Sequence, residues 1–168
     1  TLGQHGGYFG ISKYPSFAER HELSIADRYI TWGWKSSSRT VPGPILTTIG
    51  MNRKSIATGS KLVVVTEQLW SLPRSSFSDF YDSPTYFEHL ESCIKDLPSN
   101  IRSSAKIRLH PSDGITAKPM YDWWMQHIPG IEIDDCSDSF RKTLKSAKLI
   151  VVAHNSTTLP ETFSMNIP

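Results

Sequence analysis

From residue 61 onward, short apolar runs alternate with amphipathic stretches, and this alternation restricts the fold more than any other feature of the chain. The run at 61–66 (Lys-Leu-Val-Val-Val-Thr) is β-branched and uninterrupted, as a strand covered on both faces requires. A second run lies at 105–110, a short third at 131–133, and a fourth, read as buried, at 149–153. Between the first two, Tyr86, Leu90, Ile94 and Leu97 recur at helical spacing. Ser83 before them suits an N-cap, Pro84 suits the first helical position, and Pro98 ends the stripe. Further helices are predicted over 121–127, over 139–147 with Asp138 as cap, and over 159–165. Strands alternating with helices imply a parallel sheet joined by crossovers, so the predicted class is α/β.

Residues 1–60 read differently. They are rich in Gly, Ser and aromatics, and little regular periodicity is visible. A short helix is predicted over 19–29, a strand over 28–34 and a loop over 36–44. The 168 residues, 38% hydrophobic and 20% charged, have a globular composition. A net charge of +2 with no basic helix face argues against a nucleic-acid partner. Cys93 and Cys136 lack CxxC spacing and read as reduced structural thiols, which points to a cytoplasmic protein. No apolar run approaches the ~18 residues that span a bilayer. The five Trp and six Tyr still allow peripheral association at the inner face of a membrane. The chain starts without Met and ends where an α/β unit would run on, so it reads as a fragment of a longer protein.

Several groups could carry chemistry. The run at 105–110 ends in His110-Pro111, followed by Ser112-Asp113-Gly114; an imidazole there can donate to a phosphate, although Ser-Asp-Gly is also ordinary turn chemistry. The run at 149–153 ends in His154-Asn-Ser156-Thr157-Thr158, at the amino end of the last helix. Backbone N–H groups and the helix dipole favour an anion there. Glu161 follows one turn later and could accept from sugar hydroxyls, but a capping box needs the same residue types. If the two runs are near neighbours in the sheet, both clusters face one crevice at the strands' carboxyl ends. Gln4-His5-Gly6-Gly7-Tyr8-Phe9-Gly10 is dense in glycine without being GxGxxG or a Walker loop. His5, Glu19, Glu22 and Asp27 are candidate acids, bases or nucleophiles. Lys106, Arg108, Arg53 and Arg74 are candidate charge partners for a phosphate, and Trp32, Trp34, Trp123 and Trp124 either stack on rings or fill a core. Metal-ligand spacing is absent: His21-Glu22 is not HExxH, and no cysteine pair assists.

A His-Pro pair after one strand and paired hydroxyls opening a later helix resemble the nucleotide half of GT-B glycosyltransferases that use CMP-activated sugars, such as bacterial sialyltransferases and Kdo transferases. The resemblance implies that His110, Pro111, Ser156, Thr157 and Thr158 contact a CMP moiety. The upstream motifs, from the Gln4–Gly10 stretch through Glu19, Glu22, Asp27 and Trp32-Gly-Trp34, resemble a group of surface-polysaccharide transferases with the same Asn-Ser-Thr-Thr…Glu ending. It follows that residues 61–168 form a Rossmann-like nucleotide-sugar-binding domain, and that 1–60 are the tail of an acceptor-side domain with an interdomain linker. The implied activity is transfer of Kdo or a related acid sugar from a CMP donor to a surface polysaccharide or lipopolysaccharide. The donor is then a substrate, and neither cofactor nor metal is called for. Alternatives are a sugar-nucleotide epimerase, a CDP-glycerol glycerophosphotransferase and a non-catalytic α/β binding module. A hydrolase built on Ser156 is disfavoured because a GxSxG elbow is missing.

Overall fold

The computed structural model describes residues 1–11, 13–50, 59–67, 83–111, 117–154 and 156–168. They fall into two compact units. The first comprises Thr1–Ser55 with Asn155–Asn166, and the second Ile56–His154 with Ile167–Pro168. The helix after the last apolar run thus groups with the chain's beginning, and the break near residue 56 stands close to the composition change at 60.

The second unit is built on four parallel strands: β4 (Lys61–Val65), β5 (Ala105–Arg108), β6 (Glu132–Asp134) and β7 (Ala147–Val152). Their order is β6-β5-β4-β7. The chain therefore starts in the middle at β4, builds outward through β5 and β6, then returns to the other side of β4. That reversal is the topological switch point of a Rossmann-like sheet. Helices α2 (Ser83–Lys95), α3 (Ser99–Arg102), α4 (Ala117–His127) and α5 (Phe140–Ser146) lie in the crossovers. One face of the sheet, with Leu62, Val64, Ala105, Ile107 and Leu109, packs against Phe87, Leu90 and Ile94 of α2 and Met120 and Trp124 of α4. Leu62, Val64 and Leu109 are all nearly inaccessible, and Val63 between them is fully buried, so β4 reads as a strand covered on both sides.

Three local expectations change. Ser139, not Asp138, caps α5: its side chain accepts the Lys142 N–H. Asp138 instead pairs with Lys142 along the exposed helix, a spacing that favours an ion pair over a cap. Helix α4 begins at Ala117, four residues earlier than predicted, because Pro119 sits within its first turn, where a missing N–H is harmless. The apolar run at the end of the chain is not wholly buried. Leu149 and Val151 are 46% and 38% exposed. They alternate with buried Ile150 on an edge strand, where the Pro168 carbonyl accepts from Ile150 N–H at 2.8 Å.

The first unit is more regular than its sequence suggests. A parallel sheet runs in the order β1 (Leu2–Gly3), β2 (Tyr29–Thr31), β3 (Thr40–Pro42). Strand β3 falls in the stretch predicted as loop; two apolar residues at most gave no period, and pairing with β2 is what makes it a strand. Helix α1 (Phe17–Ile25) links β1 to β2, with Ser16 accepting from Glu19 N–H as its cap. It stops short of the predicted 29 because Ala26 turns extended and buries, and Tyr29 begins β2. Helix α6 (Thr158–Ser164) packs on a 3₁₀ turn at Leu46–Thr48. Phe9, Ala26 and Tyr29 form the small core.

Candidate functional site

In the second unit the strand register organises the carboxyl edge of the sheet. Val65 of β4 is level with Arg108 of β5 and with Val152 of β7. The ladder continues past the strands: Thr66 N–H donates to Arg108 O at 3.1 Å, Ala153 N–H to Val65 O at 3.1 Å, and Leu109 N–H to Asp134 O at 3.0 Å. Glu67, His110 and His154 each follow two residues after the last register position of three adjacent strands. His110 and His154 thus follow β5 and β7, the two neighbours of β4, and are near enough for His110 to act electrostatically on His154. Both imidazoles are half-buried, and the Nδ1 atom of each is buried with no hydrogen-bond partner among the described residues. Burial holds the His110 ring below the usual histidine range, with the Pro111 backbone offsetting in part. Burial and then the neighbouring His110 do the same to His154, with the Val65 backbone opposing. Both are therefore neutral near pH 7. Pro111 is exposed, and residues 112–114 lie outside the described residues. Glu67, which the sequence did not single out, follows the end of β4. Its N–H donates to the Tyr86 hydroxyl at 3.2 Å; burial first, with the Glu67 charge adding, pushes that phenol up to about 12.

The basic residues proposed as phosphate partners are committed elsewhere. Arg108 is buried and donates through Nη1 to Asp134 Oδ2 and Thr143 Oγ1, both at 2.8 Å, and through Nη2 to the Asp138 carbonyl at 3.1 Å. Its partner Asp134 is its register neighbour on β6. Lys106 and Lys61 both hold Glu132, each at 2.8 Å. Arg53 and Arg74 lie outside the described residues.

In the first unit the loop after β1 is organised by Gln4. Its buried amide donates to the carbonyls of Gly6 (2.7 Å) and Phe9 (3.3 Å), and accepts from Trp32 N–H (2.9 Å) and the Trp34 indole N–H (2.8 Å). Trp34 is thereby structural, and so are Trp124, fully buried, and Trp123, stacked on His127. Glycine is required twice in this loop. Gly10 has φ +81 and faces the Trp34 indole, and a Cβ on Gly7 would collide with the backbone of Ser156 and Thr157. Gly7 thus brings the glycine loop against the amino end of α6, a convergence of two motifs the sequence kept apart.

The candidate acids and bases divide in role. Glu19 is buried and accepts the Gly10 N–H at 2.9 Å, which fixes the loop. Glu22 binds the buried Tyr29 hydroxyl at 2.8 Å, and its other oxygen stands 3.5 Å from His5 Nε2. Burial and then Glu22 raise the Tyr29 phenol well above its ordinary range, so it stays a donor. His5 itself is 63% exposed, a solvent-facing imidazole backed by a carboxylate. Asp27 is exposed and lies between α1 and β2. At α6, Ser156 Oγ accepts the Thr158 N–H at 3.2 Å, so part of the hydroxyl cluster does cap the helix, while Thr157 makes no capping bond. Ser156, Thr157, Thr158 and Glu161 are all half-buried. Among the described residues no group of three or more His, Cys, Asp or Glu is placed to hold a metal. No helix among the described residues is long and apolar enough to cross a membrane.

The family model described as LIC12162 family transferase matches residues 1–168. The chain belongs to the LIC12162 family of transferases. No curated protein and no solved structure matches it. A transferase has two tasks, to stabilise charge on a leaving group and to manage a proton at the acceptor. In this LIC12162 family member the carboxyl edge of the second unit carries two half-buried imidazoles, and the first unit carries one exposed imidazole beside a carboxylate. Sequence reasoning included His154 in a motif but not among the binding residues. The signal available was its offset of two residues beyond the end of an apolar run, the same as that of His110.

Proposed function

We propose that the chain transfers a sugar from a nucleotide-activated donor, a CMP-linked acid sugar of the Kdo class, to a hydroxyl of a surface glycan. The observation that carries the reading is the pair of imidazoles, His110 and His154, on the two strands that flank the switch point of an all-parallel sheet. Ligands of such sheets bind in that crevice. In this reading His110 and Pro111 receive the nucleotide phosphate. His5, oriented by Glu22, takes the proton of the attacking hydroxyl. The acceptor oxygen then forms a bond to the anomeric carbon as the carbon–phosphate oxygen bond breaks, and the nucleotide leaves with the electron pair. Glu19 and Asp27 are not assigned to the chemistry: the first accepts the Gly10 N–H, and the second is exposed between α1 and β2.

Calorimetric titration with CMP, CDP, UMP and UDP, followed by turnover of CMP-Kdo, tests this. A preference for CMP that is lost in His110→Ala supports the reading. Binding of UDP-sugars or CDP-glycerol without binding of CMP rejects the donor, and full activity of His110→Ala rejects the site.

A further inference from the structure

We propose that His154 is a second anion-binding residue which, with His110, forms a two-imidazole clamp that takes up a proton as it closes on the donor's phosphate. The inference rests on reading this sheet edge as the donor-phosphate site, and extends it to a residue and a proton.

The argument starts from register. His110 and His154 each stand two residues beyond a residue level with Val65, on the strands either side of β4, and His110 acts electrostatically on His154. Two imidazoles at matching positions can address one multiply charged group, where a lone loop histidine would make a single contact. Each ring also has an Nδ1 atom that is out of solvent and unpaired. A buried polar nitrogen without a partner is unfavourable by about 1–3 kcal/mol. Such a group calls for an acceptor in the functional state, and here there are two of them side by side. Among the described residues, Arg108 is already held by Asp134 and Lys106 by Glu132.

The surrounding charges decide the proton's behaviour. The titratable groups at this edge include Glu67 at the end of β4, Tyr86 on α2, the Cys136 thiol, which donates to the Leu109 carbonyl with Asp135 beside it, and the two imidazoles themselves. With no anion bound, burial keeps both rings neutral, and the neighbouring His110 adds to this at His154. An anion between them reverses the balance, since a negative charge within a few ångströms favours the imidazolium. The bound form therefore holds more protons than the free form, and affinity rises as pH falls through neutrality.

The test uses inorganic pyrophosphate and CMP as probes on the full chain. Titrations are run in two buffers of different ionisation enthalpy, for the wild type, His110→Gln and His154→Gln. The expected result is net proton uptake for the wild type, with affinity reduced about ten-fold or more in each variant, the loss of one charge-assisted hydrogen bond. Imidazole ¹H–¹⁵N spectra of the wild type, which need no variant to fold, should show both rings shifting on addition of pyrophosphate. If CMP binds with unchanged affinity in His154→Gln, and the His154 ring is silent, the clamp is wrong while the donor site stands. If pyrophosphate binds in a His154-dependent way and no nucleotide binds, the clamp stands and the nucleotide reading falls. If neither probe binds the wild type, both fall.

Discussion

Asp134→Asn is the sharpest test of how the second unit is held together. Arg108 and Asp134 are each about 6% exposed in their side chains, and they meet across β5 and β6 with Nη1 and Oδ2 2.8 Å apart. Burial alone would raise the Asp134 carboxyl. Hydrogen bonds from Thr143, from Arg108 and from the Cys136 N–H outweigh it and hold the group below the usual carboxylate range. The substitution keeps the shape but leaves the guanidinium buried without a counter-charge. It also offers one acceptor oxygen where Oδ1 and Oδ2 now serve three donors. Breaking a buried pair from one side costs about 3–5 kcal/mol. With a urea slope of roughly 2 kcal/mol/M, the unfolding midpoint should fall by about 1.5–2.5 M. Trp123 and Trp124, in the core of this unit, give the fluorescence signal. Asp138→Asn is the control: it deletes the same charge from an exposed pair with Lys142 and should cost no more than about 0.5 kcal/mol. The pH dependence adds a sign. A carboxyl depressed in the folded state stabilises above its unfolded value of about 3.9, and that stability drains as pH falls through the folded value. The variant should lose this acid limb. A loss below about 1 kcal/mol, or one equal to that of Asp138→Asn, would refute the buried-pair account.

Other consequences are open to measurement. Because both His110 and His154 are depressed by burial, stability of the free protein should be full above about pH 6.5 and decline as pH falls toward their folded values; His110→Gln should flatten that decline. Gly7→Ala should destabilise the first unit by about 1–3 kcal/mol, because a Cβ there meets the Ser156–Thr157 backbone, and a thermal melt followed through Trp34 would register it. Tyr29→Phe removes one hydrogen bond to Glu22 and should cost about 1–2 kcal/mol while leaving the fold intact, as urea denaturation can show. Glu22→Gln should lower kcat by roughly ten-fold or more and shift its pH profile with little change in donor KM; an unchanged profile would remove His5 from the proposed acid–base role.

What the sequence made legible follows the physics of each signal. The run at 61–66 announced a buried strand because β4 lies between two partners, so that every position selects for apolar bulk. Strand β7 carries a similar run at the sheet's edge, and its composition could not reveal that Leu149 and Val151 stay exposed. The stripe of α2 was visible because a long helix on a sheet repeats its contacts. Strand β3, three residues long, has too few positions for a period to register. Among polar residues the limits were sharper. Arg108 and Lys106 looked available for a phosphate because their partners, Asp134 and Glu132, come from a strand more than twenty residues away. Glu19 and Glu22 share a helix face in sequence, yet one fixes a glycine loop and the other backs a histidine. Only the fold of the loop after β1, anchored on Gln4, separates those roles.

The same reasoning explains why titratable groups, rather than permanent charges, occupy the switch point. Arg108 precedes His110 by two residues and shares its row, so an arginine could have been aimed at the crevice. Its guanidinium is instead spent on Asp134, Thr143 and the Asp138 carbonyl, which tie β5 to β6 and α5. A free arginine at the row's end would hold a product phosphate as firmly as a donor. Imidazoles that are neutral when empty and charged when occupied bind an anion in proportion to its charge. On the proposed reading, proton uptake would track the negative charge that grows on the leaving phosphate, the interaction a transferase needs to strengthen in the transition state.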